Sequence, residues 1–254
     1  MERQKKLAVI SDLSGYGRCS LTVTLPIISA MKIQCCPVIT SILSNHTGFS
    51  EYYMDDYTDK MPAYIEQWKR LHLDFDGILT GYLGSEKQID IVIDFISHFK
   101  KENTKVIVDP VMGDNGRTYH AFTPELCNKM ERLAAYACVL TPNVTEACIL
   151  TGTAYKELGW TKKELIEISK KLIDKGAREI VITGIKQGGF LVNFVYHADG
   201  SYHLLKNKQI GSVRCGTGDV FAAIVAGSSM QGHSLEKAVK KASRYIQKCM
   251  LRSD

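Results

Sequence analysis

The chain has 254 residues, 45% of them hydrophobic, with a formal net charge of +5. That length suits one large α/β domain or two small ones and buries roughly 70–75% of the unfolded surface, so no disulfide or metal staple is needed. The mild positive charge fits a protein that handles anionic nucleotides, does not demand nucleic acid, and comes without the roughly 20-residue apolar stretch of a membrane span.

Strand-like and helix-like segments alternate along the chain. The apolar run 7–11 reads as a buried strand, and Ser20 to Met31 as a helix with Ser20 as a plausible cap. Gln34 to Ile42 reads as a second strand, 60–72 as a helix and 77–80 as a short strand. Glu86 to Lys100 has a helical period with Ile89, Ile93 and Ile96 on one face. Lys105 to Asp109 is a strand that ends in an acid. A helix at 123–134, a strand at 137–140 and a helix at 144–150 follow. Then come a helix at 161–175, strands at 179–183 and 191–197, and two closing helices at 219–229 and 234–251. Lys237, Lys240, Lys241, Arg244, Lys248 and Arg252 have the spacing of the wet face of that last helix.

Repeated β-α-β units predict a mostly parallel sheet with helices on both faces, in one domain spanning residues 1–254. Binding residues then belong just past the C-terminal ends of strands. The eight cysteines contain no C-x-x-C pair, and several lie in apolar runs. They point to a reducing, cytoplasmic setting. The apolar run after the first six residues is too short for a signal sequence.

The run Arg214-Cys215-Gly216-Thr217-Gly218-Asp219 precedes an apolar helical stretch. Glycines there free backbone N–H groups to converge on one spot, and the helix start adds its own. The result is an anion cradle, with phosphate as the usual anion. A carboxylate repels phosphate, so Asp219 either caps the following helix or takes a proton from an alcohol that attacks the phosphate.

Other polar clusters sit at strand ends. Ser44-Asn45-His46-Thr47-Gly48-Phe49 could bond and stack on a flat polar ring, or be an ordinary turn. Thr80-Gly81-Tyr82-Leu83-Gly84-Ser85 allows close backbone approach and offers a phenol, or is a turn capped by Ser85. Asp109 could hold magnesium through water or orient phosphates, or with Pro110 be an ordinary turn. The glycine-rich polar stretch behind it forms a candidate flap around 110–122. Asn143 and Glu146 have the N-cap to N3 interval of a capping box, which is compatible with Glu146 as a second carboxylate near a metal. Gly15-Tyr16-Gly17-Arg18-Cys19-Ser20 imitates a dinucleotide fingerprint, but the residues near 40–44 lack the ribose-binding acid. Gly184-Ile185-Lys186-Gln187-Gly188-Gly189 is not a Walker A sequence and reads as a strand-to-strand turn.

In order, Ser11, SNHTG at 44–48, TGYLGS at 80–85, DPVMGD at 109–114, TPNVTEA at 141–147 and GTGD at 216–219 resemble the pyridoxal (vitamin B6) kinases of the ribokinase-like superfamily. The resemblance implies a three-layer α/β/α sandwich and a homodimer. It implies ATP and Mg2+, with a monovalent cation as a candidate accessory, and phosphorylation of the 5′-hydroxymethyl group of pyridoxal, pyridoxine or pyridoxamine. On it, Asp219 is the catalytic base, and Gly216, Thr217 and Gly218 form the anion hole. Ser11, His46, Thr47 and Tyr82 line the vitamer pocket. Asp109, Asn143, Glu146, Thr183 and Gly184 face the nucleotide, with Asp109 and Glu146 near the metal. One departure concerns the first serine: Asp12 follows it where the family commonly has histidine, and the run SGYGRCS is similar to bacterial proteins labelled pyridoxamine kinase. Two further functions fit the motifs less fully. One is a hydroxymethylpyrimidine kinase, which tends to have cysteine where Asp219 stands. The other is a non-catalytic B6- or nucleotide-binding protein.

Overall fold

The computed structural model describes residues 3–119, 122–211 and 214–252. In chain order the elements are β1 (Lys6–Tyr16), α1 (Ser20–Ala30), β2 (Gln34–Asn45), β3 (Met54–Asp56), α2 (Met61–Arg70) and β4 (Gly77–Thr80). Next come α3 (Glu86–Phe99), β5 (Lys105–Val108), β6 (Gly113–Asp114), β7 (Arg117–Thr118), α4 (Pro124–Ala134), β8 (Val139–Leu140) and α5 (Val144–Thr151). The chain closes with α6 (Lys162–Asp174), β9 (Glu179–Gln187), β10 (Phe190–His197), β11 (Tyr202–Lys208), α7 (Thr217–Met230) and α8 (Leu235–Met250).

Nine strands form one sheet in the order β11-β10-β9-β8-β5-β4-β1-β2-β3. The six central strands from β9 to β2 are parallel; β3, β10 and β11 add antiparallel edges. Side chains alternate across the sheet. From β1, Ala8 and Ile10 enter a core with α2 to α6, while Leu7 and Val9 enter a second core with α1, α7 and α8. This is the three-layer α/β/α, ribokinase-like arrangement. After β1 the chain goes to β2 on one side and later returns to β4 on the other, so the topological switch lies at β1. Ligand crevices form at such points.

Most expected elements are present, but β1 runs on to Tyr16 and β9 to Gln187, so residues 184–187, expected in a turn, are strand and the turn is confined to Gly188 and Gly189. Ile89, Ile93 and Ile96 all face the core, and Ser85 caps α3 through the Gln88 N–H. The basic residues of α8 and its C-terminal end are exposed. The 137–140 strand shortens to Val139–Leu140. Ser20 is not a cap: Cys19 holds the N-cap position of α1, and Ser20 is its first residue. Strands β3 and β11 are additions at the sheet edges. The flap stretch is a hairpin, β6 to β7, turned by Asn115 (φ 50) and Gly116 (φ 77), the Asn-Gly pair of a tight turn. Residues 120 and 121 of that stretch lie outside the described residues.

Phe95 is 1% exposed and sits among Trp68, Phe75 and Phe99. Phe95→Ala is expected to cost about 3–5 kcal/mol, read as a lowered urea midpoint.

Candidate active site

Strand ends and one helix start converge beside β1. Ser11, Thr80, Gly81, Asp109 and Asp219 line a cavity of about 10 Å3, the size of one water molecule. Gly81 is required there, because a methyl group would sit 2.6 Å from the Ser11 hydroxyl. The Thr80 hydroxyl is buried without a protein partner. An orphaned hydroxyl beside a water-sized space is the mark of a site that takes water or ligand.

Asp219 enters this space from the first turn of α7. The residue is half-buried and its carboxyl is enclosed. It does not cap its own helix, whose N-cap is Gly216. Instead its Oδ2 accepts the Ser20 N–H at 2.8 Å, binding the start of α1 to the start of α7. Burial pushes its pKa up to about 6; the Ser20 N–H opposes that shift, and the nearby Asp12 charge adds to it. Asp109 faces the same turn: a methyl group on Gly218 would stand 4.0 Å from its Oδ2. Burial and then the Asp219 charge raise the Asp109 pKa as well.

The anion cradle is built on Gly216. Its φ of 83 lies where glycine is favoured, and a methyl group there would fall 1.7 Å from the Arg18 carbonyl oxygen. The Cys19 thiol and the Gly216 N–H lie beside the Cys215 sulfur. That thiol contact lowers the Cys215 pKa. The N–H groups of Thr217 and Gly218, in the first turn of α7, have no intrahelical acceptor and suit an anion.

Asn143 and Glu146 form the expected capping box of α5, at 3.0 and 2.8 Å. The other Glu146 oxygen accepts the Met112 N–H at 3.1 Å. Burial, and then the Asp109 charge, raises the Glu146 pKa. Asn143 also bonds the Gly113 carbonyl at 2.7 Å, and Thr145 accepts the Gly116 N–H at 2.9 Å. The β6–β7 hairpin is thereby tied to the start of α5. Thr183 bridges to Asn143, and Gly184 follows at φ 74.

These contacts test the room for a divalent cation. Asp109 has one side-chain partner, the Thr141 hydroxyl at 3.4 Å. With the free Thr80 hydroxyl it offers the hard oxygen set that magnesium takes. Both Glu146 oxygens already hold backbone N–H groups, so Glu146 has less free coordinating capacity than Asp109.

The other expected pocket residues divide. Ser11 is in the cavity wall. Tyr82 follows β4, half-buried, with its ring edge-on to Phe122 at 6.2 Å. His46 and Thr47 stand farther along, beside the end of β1: the His46 N–H bonds the Tyr16 carbonyl. The His46 ring lies 4.7 Å from Phe49 and packs over Gly17, while Thr47 is exposed. None of this loop's residues lines the cavity. Three residues beyond the expected set join the site: Asp12, Ser20 and Cys215. An acid interrupting an apolar strand was the available signal for Asp12; Ser20 and Cys215 gave none beyond lying next to glycine turns.

The phosphomethylpyrimidine kinase family model matches residues 24–253. The chain belongs to that family. A Bacteroides thetaiotaomicron protein carrying the same family name is 41% identical over 97% of this chain and 86% of its own, with a TM-score of 0.95. A second crystal form of it, with pyridoxal, superposes with a TM-score of 0.93 over 97% of this chain and 87% of its own. The pyridoxine/pyridoxal/pyridoxamine kinase of Bordetella avium is 32% identical over 66% of this chain. The thiamine biosynthetic bifunctional enzyme TH1 of Arabidopsis thaliana is 29% identical over 94% of it. The chain spans 57% and 45% of the lengths of those two relatives. Among the described residues, no helix is long and apolar enough to cross a membrane.

Gly216 and Gly188 make a paired test. Both have positive φ, but only Gly216 has backbone in the way. Gly188→Ala is expected to cost about 1 kcal/mol and Gly216→Ala about 3 kcal/mol or more. Urea unfolding of the two variants checks the difference.

Proposed function

We propose that the chain is an ATP-dependent kinase that phosphorylates the 5′-hydroxymethyl group of a vitamin B6 vitamer. The observation that supports this most is the placement of Asp219. An enclosed carboxyl shares a cavity with Ser11 and Asp109 and adjoins an anion cradle. A carboxylate there is useless for holding phosphate and well placed for an alcohol. The pyridoxal in the Bacteroides structure and the name of the Bordetella relative support a vitamer as the alcohol.

In this reaction Asp219 accepts the hydroxyl proton as the substrate oxygen bonds to the γ-phosphorus. The bond from that phosphorus to the bridging oxygen of ATP breaks, and ADP leaves with the electron pair. The Thr217 and Gly218 N–H groups bond the oxygens of the transferring phosphoryl group, where fixed dipoles act without reorganisation. Ser11 and Tyr82 hold the ring so that the alcohol lies in line with the phosphate, and such positioning supplies much of the rate. His46 and Thr47 cover the outer edge of the ring. Asn143, Thr183 and Gly184 contact the nucleotide, with the β6–β7 hairpin over it. A magnesium ion would be held by Asp109 directly and by Glu146 through water, and would offset the phosphate charges. The reading takes the chain as one kinase domain, a homodimer in the cytoplasm.

The family description and the thiamine relative favour a second reading, hydroxymethylpyrimidine as the alcohol. An ADP-release assay across pyridoxal, pyridoxine, pyridoxamine and hydroxymethylpyrimidine separates the two. ADP formed only with the pyrimidine overturns the B6 assignment.

Asp219→Asn is expected to lower kcat by about 10²–10⁴-fold while ATP binding, followed by calorimetry, persists. The base must be ionised to accept a proton. With its pKa raised to about 6, kcat/KM is expected to fall as pH drops below about 6. The residual activity of the Asn variant should lack that acid limb.

A further inference from the structure

The proposed kinase reaction leaves one buried charge unused, and the role assigned to that charge rests on the reaction. Asp12 is 5% exposed. Its carboxyl accepts hydrogen bonds from the hydroxyls of Ser14 (3.0 Å) and Ser11 (3.4 Å), and the Ser20 hydroxyl lies beside it. No cationic side chain among the described residues pairs with it. Burying a carboxylate without a cation is costly, and three hydroxyls only partly offset that cost.

The backbone puts Asp12 there by a break in the sheet. Thr40 and Ser41 of β2 both stand opposite this single residue, between the pairs Ser11–Ile39 and Leu13–Ile42. On its other edge β1 has already left β4, whose last pair is Ile10–Thr80. Such irregularities re-aim side chains and are over-represented next to active sites.

Ser20 ties this carboxylate to the reacting centre. Its hydroxyl lies beside Asp12, and its N–H bonds Asp219 at 2.8 Å. Ser20 itself is held at φ 52, which a residue with a side chain rarely adopts. Two carboxylates therefore flank one residue. The three B6 vitamers share the hydroxymethyl group and differ only in the substituent on the neighbouring ring carbon. That substituent is an aldehyde, an alcohol or an aminomethyl group. Ser11, which bonds Asp12, lines the cavity beside Asp219; with the hydroxymethyl group at Asp219, the proposed reaction would turn the neighbouring substituent toward Asp12.

We propose that Asp12 is a specificity-determining residue: it pairs with a cationic nitrogen on the substituent next to the reacting hydroxymethyl group, and so selects pyridoxamine over pyridoxal and pyridoxine. An ammonium gives the buried carboxylate the cation it lacks, and a charge-assisted bond is roughly twice as strong as a neutral one. An aldehyde turns only an acceptor oxygen toward the anion. The alcohol offers one neutral donor. Hydroxymethylpyrimidine also has an amino group beside its hydroxymethyl group, but that nitrogen is uncharged.

The test measures kcat/KM for the three vitamers and hydroxymethylpyrimidine with the wild type, Asp12→Asn and Asp12→Ser. Calorimetric binding of pyridoxamine and pyridoxal, without ATP, and thermal melting of each variant accompany it. The wild type is expected to prefer pyridoxamine. Asp12→Asn, which keeps the shape, should lower kcat/KM for pyridoxamine by about 10–100-fold, chiefly through weaker binding. Pyridoxal and pyridoxine should change by less than about 3-fold. Asp12→Ser should show the same order in a protein that melts normally if Asn perturbs the serine contacts. An equal loss for every vitamer, or a wild type that prefers pyridoxal, overturns the proposal. A loss with hydroxymethylpyrimidine as large as with pyridoxamine overturns the requirement for charge. Turnover with no vitamer at all overturns the B6 reaction itself; calorimetry still decides Asp12, since equal pyridoxamine affinity in wild type and variants refutes its role.

Discussion

Four carboxyl groups, Asp12, Asp109, Glu146 and Asp219, crowd one edge of a parallel sheet with no cationic side chain among the described residues to pair with them. Each is raised in pKa first by burial, and three also by a neighbouring acid. The fold holds them there by other means. Glu146 is fixed by backbone N–H groups, Asp219 by the Ser20 N–H, and Asp12 by serine hydroxyls. Asp109 has a single weak hydroxyl contact and a vacant hydroxyl across the cavity. Protons relieve the repulsion that remains, and in the proposed reaction a metal ion and a cationic substituent would relieve it as well. In the proposed reaction that need becomes selectivity, because an anionic nucleotide can enter such a site only together with its metal.

The sheet makes this crowding possible. Parallel strands all end on the same side, and at the switch beside β1 the helices diverge and leave a crevice. The starts of α1 and α7 meet in that crevice. They come close because α7 is lined with small residues. A methyl group on Gly227 would fall 2.6 Å from the Met31 side chain at the end of α1. At the other end Gly216 lies against the Arg18 carbonyl. The catalytic candidate, Asp219, is thus located by helix packing at two glycines as much as by its own turn.

Much of this was legible in the sequence. The alternation of apolar periods defined the parallel core, since buried strands and amphipathic helices have different repeats. The capping box at 143–146 was readable because it is local: three residues specify it. The edge strands β3 and β11 were not. Met54–Asp56 and Tyr202–Lys208 are polar and partly exposed, and their strand state comes from ladder bonds to partners that a sequence pattern does not display. The Asn115-Gly116 hairpin was seen as glycine-rich polarity without its turn geometry. Composition left the SNHTG loop open between a ring-binding segment and a turn; its position depends on β1 continuing to Tyr16 alongside β2, a length that the apolar run 7–11 does not display.

The hardest feature to read was who caps whom. Local rules assign Ser20 to cap α1 and allow Asp219 to cap α7. The protein crosses the assignment: Asp219 takes the Ser20 N–H, and Gly216 starts α7 with no side chain at all. A cap contributes about 1 kcal/mol whether its acceptor is local or distant. Crossing it loses little stability and couples two elements 199 residues apart in the chain. It also leaves the first-turn N–H groups of α7 open for an anion and forces Ser20 into a strained backbone state. The hydroxyl of that strained residue then reaches Asp12. Strain, the open helix start and the pairing of two buried acids are one arrangement, and a sequence that satisfied each helix locally would have none of them.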